Sequence, residues 1–267
     1  MPGMLEGRTA IVTGAAAGVG LAVARRFAEE GATLLVTDRD EDALEAEAGA
    51  LADTGAAVHC WCCNLREKLG IANLMASAAD KLGRIDILVN ANLQTVRGGL
   101  MTADIEAFDA AWDANLRAVF LLTQAVAKRM IASREAEPDV PPGAIVNITS
   151  IAAQRTSPDL LPYSVSCAAM DQLTRSCAVA LAPHGVRVNA VALGAVMTRA
   201  LAASLRENEG LRAALVRATP MGRIGEADEA AEAALFLAAP RASFVTGQIV
   251  AVDGGRTALD PLATPDA

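Results

Sequence analysis

Short apolar runs rich in β-branched residues alternate along the chain with longer segments in which apolar residues recur at helical spacing. Such alternation is typical of βαβ units, in which helices cover both faces of a parallel sheet. The pattern predicts an α/β fold: a single doubly wound parallel β-sheet with helices on both faces, formed by residues 1–267 as one domain. The predicted strands are 9–12, 33–37, 57–61, 85–90, 144–148, 186–192 and 248–252.

Helical periodicity connects these strands. Helices are predicted at 19–30, 40–52, 67–82, in two stretches within 105–131, at 163–182 and at 228–238. The charged, proline-containing segment 133–142 predicts an exposed loop. Residues 197–225, which include four regularly spaced leucines, predict a helical excursion outside the sheet, and residues 259–267 predict a loose tail.

A glycine-rich segment, Thr13 to Gly20, follows the first strand and leads directly into a helix. Glycines at such a turn let the backbone approach a pyrophosphate, and the helix N-terminus supplies free N–H groups. Asp38 stands at the end of the second strand, 18 positions after Gly20, where a carboxylate accepts ribose hydroxyls and repels a 2′-phosphate. This favours NAD over NADP, although the neighbouring Arg39 could instead attract that phosphate.

Several motifs together resemble the short-chain dehydrogenase/reductase family over residues 5–255. The quoted segments are Thr13 to Gly20 (T-G-x-x-x-G-x-G), Ile145 to Ser150, Tyr163 placed 13 positions after Ser150, Val186 to Val191, and Phe244 to Gly255. The resemblance implies a Rossmann-like fold and hydride transfer between nicotinamide and a secondary alcohol or ketone. It also implies a homotetramer or homodimer, with helices 112–130 and 163–182 packed against a neighbouring subunit.

The resemblance implies roles for individual residues. The implied catalytic residues are Tyr163, Ser150 and Asn115. The implied NAD-binding residues are Gly14, Ala17, Gly18, Val19, Gly20, Asp38, Arg39, Asn64, Leu65, Asn90, Thr149, Tyr163, Val196 and Thr198. The lid-like segment 197–225 is leucine-rich and favours an apolar small-molecule substrate.

The reactive end departs from the family pattern. Cys167 stands where the family has the lysine of Y-x-x-x-K, and Asn90-Ala91-Asn92-Leu93 replaces N-N-A-G. Lysine ordinarily stabilises the tyrosine phenolate, whereas cysteine carries no positive charge. Arg155 is the nearest cation in sequence that could substitute. Two hypotheses therefore stay open: an NAD-dependent oxidoreductase with weakened catalysis, and a catalytically inactive NAD-binding sensor or structural subunit.

Composition excludes several other classes. No apolar run is long enough to span a bilayer, and 23 basic against 31 acidic residues leave no basic cluster for nucleic acid. The N-terminal residues lack an export signal, so a cytoplasmic location is expected. Ser150 lacks a G-x-S-x-G context, which argues against a hydrolase. Cys60, Cys62 and Cys63 resemble a soft-metal cluster, but buried small apolar residues and no metal are the preferred interpretation.

Overall fold

A seven-stranded parallel sheet forms the centre of the computed structural model, which describes residues 3–137 and 139–259. The strands follow the order β3-β2-β1-β4-β5-β6-β7, and every neighbouring pair is parallel. They are β1 (Thr9–Thr13), β2 (Thr33–Asp38), β3 (Val58–Cys62), β4 (Ile87–Asn90), β5 (Ala144–Ser150), β6 (Arg187–Leu193) and β7 (Ile249–Val252). The strand order reverses between β1 and β4, which is where ligands bind in open α/β sheets.

Helices cover both faces of this sheet, as the sequence predicts. The α-helices are α1 (Gly18–Glu29), α2 (Glu41–Asp53), α3 (Lys68–Leu82), α4 (Ile105–Trp112), α5 (Ala118–Ala136), α6 (Leu161–Leu181), α7 (Arg199–Glu207), α8 (Leu211–Arg217) and α9 (Ala227–Ala238). A π-helical turn, Asp113–Arg117, joins α4 to α5. Short 3-10 turns lie at Ile151–Ala153, Ala182–His184 and Pro240–Ala242.

Two apolar layers hold the helices on the sheet. One layer packs α1, α2 and α9 on one face, with Phe27, Leu34 and Leu235 fully buried. The other layer packs α3 and α5 on the opposite face, around Leu74 and Leu122. A third, small cluster contains Ala152, Tyr163 and Cys167 and lies at the carboxyl edge of the strands. Both faces of the sheet are therefore buried, which explains its almost uninterrupted apolar strands.

Two predictions from the sequence need correction, and a third falls largely on residues that the structure does not describe. The predicted loop at 133–142 begins too early, because α5 continues through Ala136. The predicted burial of the clustered cysteines is wrong: Cys60 is exposed and Cys62 and Cys63 are half-buried, because β3 is an edge strand. Of the predicted loose tail, residues 260–267 lie outside the described residues. Within the described chain, no helix is long and apolar enough to cross a membrane.

Candidate active site

The turn between β1 and α1 packs closely against neighbouring backbone because it is built from glycine. Gly14 has φ +65°, and a Cβ added to it would lie 2.5 Å from the Ala91 carbonyl oxygen. A Cβ on Gly20 would overlap the Gly14 carbonyl oxygen, so the start of α1 packs directly against the end of β1. Gly18 also has positive φ, at +60°. The turn therefore brings bare backbone to the open edge of the sheet.

The N-terminus of α1 is left without a capping side chain. Its N-cap residue, Ala17, is extended and has no side chain that accepts a hydrogen bond from the first turn, and that turn contains no acidic residue. Val19 is buried beneath the turn. Free N–H groups and the partial positive charge of the helix end together form an anion site.

Asp38 lies at the same edge of the sheet, as the last residue of β2. Its Oδ2 accepts a hydrogen bond from Ala16 N at 3.2 Å, and its Oδ1 accepts from Arg39 N at 2.7 Å and Asp40 N at 3.2 Å. These backbone donors hold the carboxylate beside the glycine-rich turn. Arg39 is exposed, so the two candidate groups for the ribose lie next to each other.

The end of β3 supplies the next pair of predicted binding residues. Asn64 is exposed, and its Oδ1 accepts from Arg66 N at 3.1 Å while its Nδ2 donates to Glu67 at 2.9 Å. Leu65 is buried in the layer under α3. Asn64 therefore presents an acceptor oxygen that is fixed in a turn, while Leu65 anchors that turn to the core.

Ser150 and Tyr163 meet where β5 ends and α6 begins. Ser150 Oγ accepts from Ala152 N at 3.1 Å and donates to the Leu193 carbonyl at 3.3 Å. The Tyr163 hydroxyl forms side-chain interactions with Ser150, Thr95 and Cys167. Tyr163 is 8% exposed, so its hydroxyl is largely shielded from water. A serine and a tyrosine hydroxyl thus meet at one point at the carboxyl edge of the sheet.

The environment of Tyr163 favours the neutral phenol. Burial raises the pKa of Tyr163 above its usual range, and the neighbouring Cys167 raises it further. Hydrogen bonds with Ser150 and Thr95 act in the opposite direction and are outweighed. No cation among the described residues contributes to the shift. Arg155 does not substitute for one, because its guanidinium donates to the Thr257 carbonyl at 2.7 Å on the surface.

Cys167 lies one helical turn after Tyr163 and is fully buried. Burial raises the pKa of the Cys167 thiol to about 12, although its interaction with Tyr163 lowers it. The thiol is therefore neutral at physiological pH, as the sequence argument requires. Thr149 lies beside it and donates its hydroxyl to the Cys167 carbonyl at 3.5 Å.

Asn115 belongs to the π-helical turn and positions the loop after β4. Its Oδ1 accepts from Gln94 N at 2.7 Å, and its Nδ2 donates to the Gln94 carbonyl at 2.8 Å and to Ser166 Oγ at 3.0 Å. Asn115 is 1% exposed, so it joins the loop to α6 from inside the protein. Single π-turns inside helices are frequent at functional sites.

Leu93 fills space next to the reactive groups. It is partly buried and packs against the cluster of Ala152, Tyr163 and Cys167, together with Ala153 and Leu160. Leu93 is larger than the glycine of the family pattern, and Cys167 is shorter than the lysine. Both departures therefore lie in the same apolar cluster. This pairing was not predictable from the sequence, because 74 positions separate Leu93 and Cys167.

The remaining predicted residues line the same edge. Asn90 is buried and donates to Asn147 Oδ1 at 2.8 Å and to Thr123 Oγ1 at 3.2 Å. Val196 is buried and pairs with Gly225 at the base of the excursion. Thr198 caps α7, and its Cγ2 lies 3.6 Å from the position of a Cβ on Gly18. The excursion therefore begins beside the glycine-rich turn.

Sequence reasoning missed two polar residues of this region. Thr95 interacts with the Tyr163 hydroxyl from the loop after β4, and Asp171 lies one turn beyond Cys167 on α6. Helical spacing from Tyr163 could have indicated Asp171, since residues at i, i+4 and i+8 share a face. No sequence signal indicates Thr95.

Comparisons with known proteins agree with this geometry. A family model described as enoyl-(acyl carrier protein) reductase matches residues 14–257. A 3-oxoacyl-(acyl-carrier-protein) reductase of Thermotoga maritima is 36% identical over 255 residues, covering 94% of this chain and 98% of that protein. A 7α-hydroxysteroid dehydrogenase of Escherichia coli K12 is 34% identical over 253 residues, covering 94% of each chain.

Two solved structures share a comparable fraction of identical residues with this chain and superpose closely on it. The gluconate 5-dehydrogenase of Burkholderia cenocepacia, in complex with NADP and tartrate, has a TM-score of 0.88 at 33% identity and covers 96% of this chain and 97% of that one. A 7α-hydroxysteroid dehydrogenase with NADH and 7-oxo glycochenodeoxycholic acid also has a TM-score of 0.88 at 33% identity, with 94% of each chain covered.

The chain belongs to the short-chain dehydrogenase/reductase family and has its Rossmann-like fold. It is an oxidoreductase that transfers hydride between a nicotinamide cofactor and an alcohol or ketone. The residues present fit the phosphate half of a dinucleotide, since Gly14 and Gly20 allow the turn to pack tightly at the end of β1 and α1 begins without a capping side chain.

Proposed function

We propose that this protein is an NAD-dependent oxidoreductase that interconverts an apolar secondary alcohol and its ketone, with Tyr163, Ser150 and Asn115 as its catalytic set. The observation that carries the proposal is the contact between the Ser150 and Tyr163 hydroxyls, both of which belong to largely buried residues. NAD supplies and accepts hydride when bound. Ser150 polarises the substrate oxygen, Tyr163 exchanges its proton, and Asn115 fixes the loop that carries Gln94 and Thr95.

The substrate class follows from the side chains around Tyr163. Leu93, Ala153 and Leu160 pack against the small cluster that contains Tyr163. The leucines of α7 and α8 are half-buried. Similar proteins act on hydroxysteroids, on cis-4-hydroxycyclohexanecarboxylate and on galactitol. The apolar lining favours a cyclic or acyl substrate over a sugar alcohol.

Steady-state turnover of a substrate panel tests this function. The panel contains a hydroxysteroid, a 4-hydroxycyclohexanecarboxylate and a hexitol, each measured with NAD and with NADP. Tyr163→Phe is expected to lower turnover by a factor of about 10²–10⁴ while leaving cofactor affinity unchanged. Cofactor binding without turnover of any ketone or alcohol would instead favour the second candidate, a binding-only sensor or structural subunit, which is motivated by the neutral thiol at Cys167.

The choice of NAD rests on Asp38. Its carboxylate is held by three backbone N–H groups at the edge of the glycine-rich turn, where a 2′-phosphate would meet a like charge. Asp38→Ala is expected to reduce the ratio of NADH to NADPH affinity by about tenfold or more, measured by quenching of protein fluorescence. Asp42→Ala, an exposed change on α2, is the matched control. A ratio unaffected by Asp38→Ala would show that Asp38 does not determine cofactor choice.

The remaining assignments concern the surroundings of the protein. We expect it to act in the cytoplasm on a small molecule, with no nucleic acid or membrane partner, since the chain is acidic overall. We also expect a homotetramer or homodimer. Trp112, Phe120 and Val165 support this, because each leaves more than 40% of its surface exposed on α4, α5 and α6.

A further inference from the structure

A buried column of proton-carrying groups descends from Tyr163 along α6. Tyr163, Cys167 and Asp171 are spaced at i, i+4 and i+8, so they share one face of the helix. That face packs against β5, which contributes Thr149. All four side chains are buried: Tyr163 is 8% exposed, Cys167 and Thr149 are 0% exposed, and Asp171 is 4% exposed.

The contacts along this column are continuous. The Tyr163 hydroxyl interacts with the Cys167 side chain. The Thr149 hydroxyl interacts with both Cys167 and the Asp171 carboxyl, and donates to the Cys167 carbonyl at 3.5 Å. Each member from Tyr163 to Thr149 is a hydroxyl or thiol that can donate one proton while accepting another.

The lower end of the column contains an unsatisfied group. Asp171 Oδ1 is a buried oxygen without a hydrogen-bond partner among the described residues. An ionised carboxylate left in this state carries a large desolvation cost, whereas a protonated carboxyl is compatible with burial. The environment at this end of the column therefore favours the protonated, uncharged form of the Asp171 carboxyl.

We propose that Asp171 is the proton store that recharges Tyr163 through Thr149 and Cys167, in place of the absent lysine. The proposal rests on the proposed function, in which Tyr163 gives its proton to a ketone. Asp171 and Cys167 are positioning and relay residues, since neither touches the substrate.

The proton shift balances without any additional reactant. As the carbonyl carbon accepts hydride in the established reaction, the Tyr163 O–H bond breaks and a bond from that proton to the ketone oxygen forms. The Cys167 S–H proton then moves to the Tyr163 oxygen, the Thr149 proton moves to Cys167, and the Asp171 proton moves to Thr149. Of the four groups in the column only Asp171 ends with a charge, as a carboxylate, and it recovers its proton from solvent. Alcohol oxidation runs the same shift in reverse.

The titration of Asp171 sets the expected pH dependence. Burial raises the pKa of Asp171 above its usual range, while Thr149 and the Arg175 guanidinium lower it. From α6 the titratable and charged groups facing it are Cys167 and Arg175, and β5 contributes only the Thr149 hydroxyl. Ketone reduction needs the protonated carboxyl, so its rate falls as pH rises through the pKa of Asp171. Alcohol oxidation needs the carboxylate, so its rate rises over the same interval.

Infrared difference spectroscopy of the cofactor-free protein tests the proton store directly. A protonated buried carboxyl gives a C=O stretch above the amide I band. This band is expected in the wild type, is expected to vanish as pH rises, and should be missing from Asp171→Asn. Asp159→Asn, which changes an exposed carboxylate, is the matched control and should keep the band. A wild type without the band at any pH overturns the proposal.

Rate profiles then test the path. In ketone reduction, Asp171→Asn is expected to lower turnover about tenfold or more. It should also remove the high-pH limb of the pH–rate profile, which is the fall in rate assigned to Asp171. Cys167→Ser keeps a relaying hydroxyl and should keep that limb, whereas Cys167→Ala should lose it. Cys177→Ala, on the same helix but outside the column, should change neither. An active wild type whose profile is unaffected by Asp171→Asn overturns the relay alone, whereas a wild type inactive on every substrate overturns the proposed function and the relay with it.

Discussion

Tyr163 is the one tyrosine of the chain, so its ionisation can be followed without interference from another phenol. In its surroundings, burial raises its pKa and no described cation opposes that effect. Titration of the phenolate absorption in the cofactor-free protein is therefore expected to give a pKa above the ordinary value of about 10. A decrease in the Tyr163 pKa on NAD binding would mean that the cofactor itself supplies the missing positive charge.

Replacing Cys167 with lysine tests the electrostatic role of this position. An ammonium within reach of the phenol is expected to lower the Tyr163 pKa by about one to three units, measured by the same absorption titration. Ser176→Lys adds the same charge at an exposed site on α6 and is expected to have little effect. A Cys167→Lys protein whose titration matches that of the wild type would show that the lysine cannot reach the phenol.

Leu93 determines how Cys167→Lys should be interpreted. Because Leu93 packs against the cluster that contains Tyr163 and Cys167, a longer side chain at 167 meets an occupied space. Overpacking of a buried cluster commonly costs about 1–3 kcal/mol. Leu93→Gly combined with Cys167→Lys removes that obstruction, so the double variant should show the larger decrease in the Tyr163 pKa.

At the scale of elements, Arg187 joins the start of β6 to the end of α9. Its guanidinium donates to the carbonyl oxygens of Leu237, Ala238, Ala239 and Val245, at 2.7 to 3.3 Å. It therefore satisfies the carbonyls that every helix C-terminus leaves unpaired. Since α9 packs extensively on α1, this contact also supports the helix that begins at the glycine-rich turn.

Arg187→Met keeps the length of the side chain and removes its donors. The free energy of unfolding is expected to fall by about 3 kcal/mol, since buried carbonyl oxygens lose their partners. Urea unfolding followed by circular dichroism measures the difference. Arg212→Met, an exposed change on α8, should stay within about 0.5 kcal/mol of the wild type. Equal stability of the two variants would show that water replaces the guanidinium at the end of α9.

Elements with a strong period were predictable, and contacts between distant elements were not. Apolar periodicity identified the seven strands and the α/β class, because the central strands β1, β2, β4, β5 and β6 are largely buried on both faces. Local composition misplaced the end of α5, since charged residues are as compatible with an exposed helix face as with a loop. Thr95 and Leu93 reach Tyr163 through tertiary folding alone, so no spacing rule could place them there.

At the scale of the whole molecule, two of the surfaces that expose apolar side chains are candidates for assembly. One lies on α4, α5 and α6, where Trp112, Phe120 and Val165 are 41%, 44% and 41% exposed. The other lies beside β7, an edge strand that pairs only with β6, where Phe244 is fully exposed and Val179 is 78% exposed. The segments that carry these two residues approach each other, because a Cβ on Gly247 would lie 3.5 Å from Ala178. Exposed apolar groups and an open strand edge both favour association.

Two distinct self-complementary surfaces are what a tetramer with dihedral symmetry requires, whereas a dimer needs one. We therefore expect the wild type to sediment as a tetramer and Phe244→Asp to sediment as a dimer held by the helical surface. Phe120→Asp should give the dimer held by the β7 edge, and the double variant should give monomers. Leu69→Asp, on the exposed face of α3, is the control that should leave the tetramer intact. A wild-type dimer that persists in Phe244→Asp and dissociates in Phe120→Asp would limit assembly to the helical surface, because a single isologous contact accounts for both results.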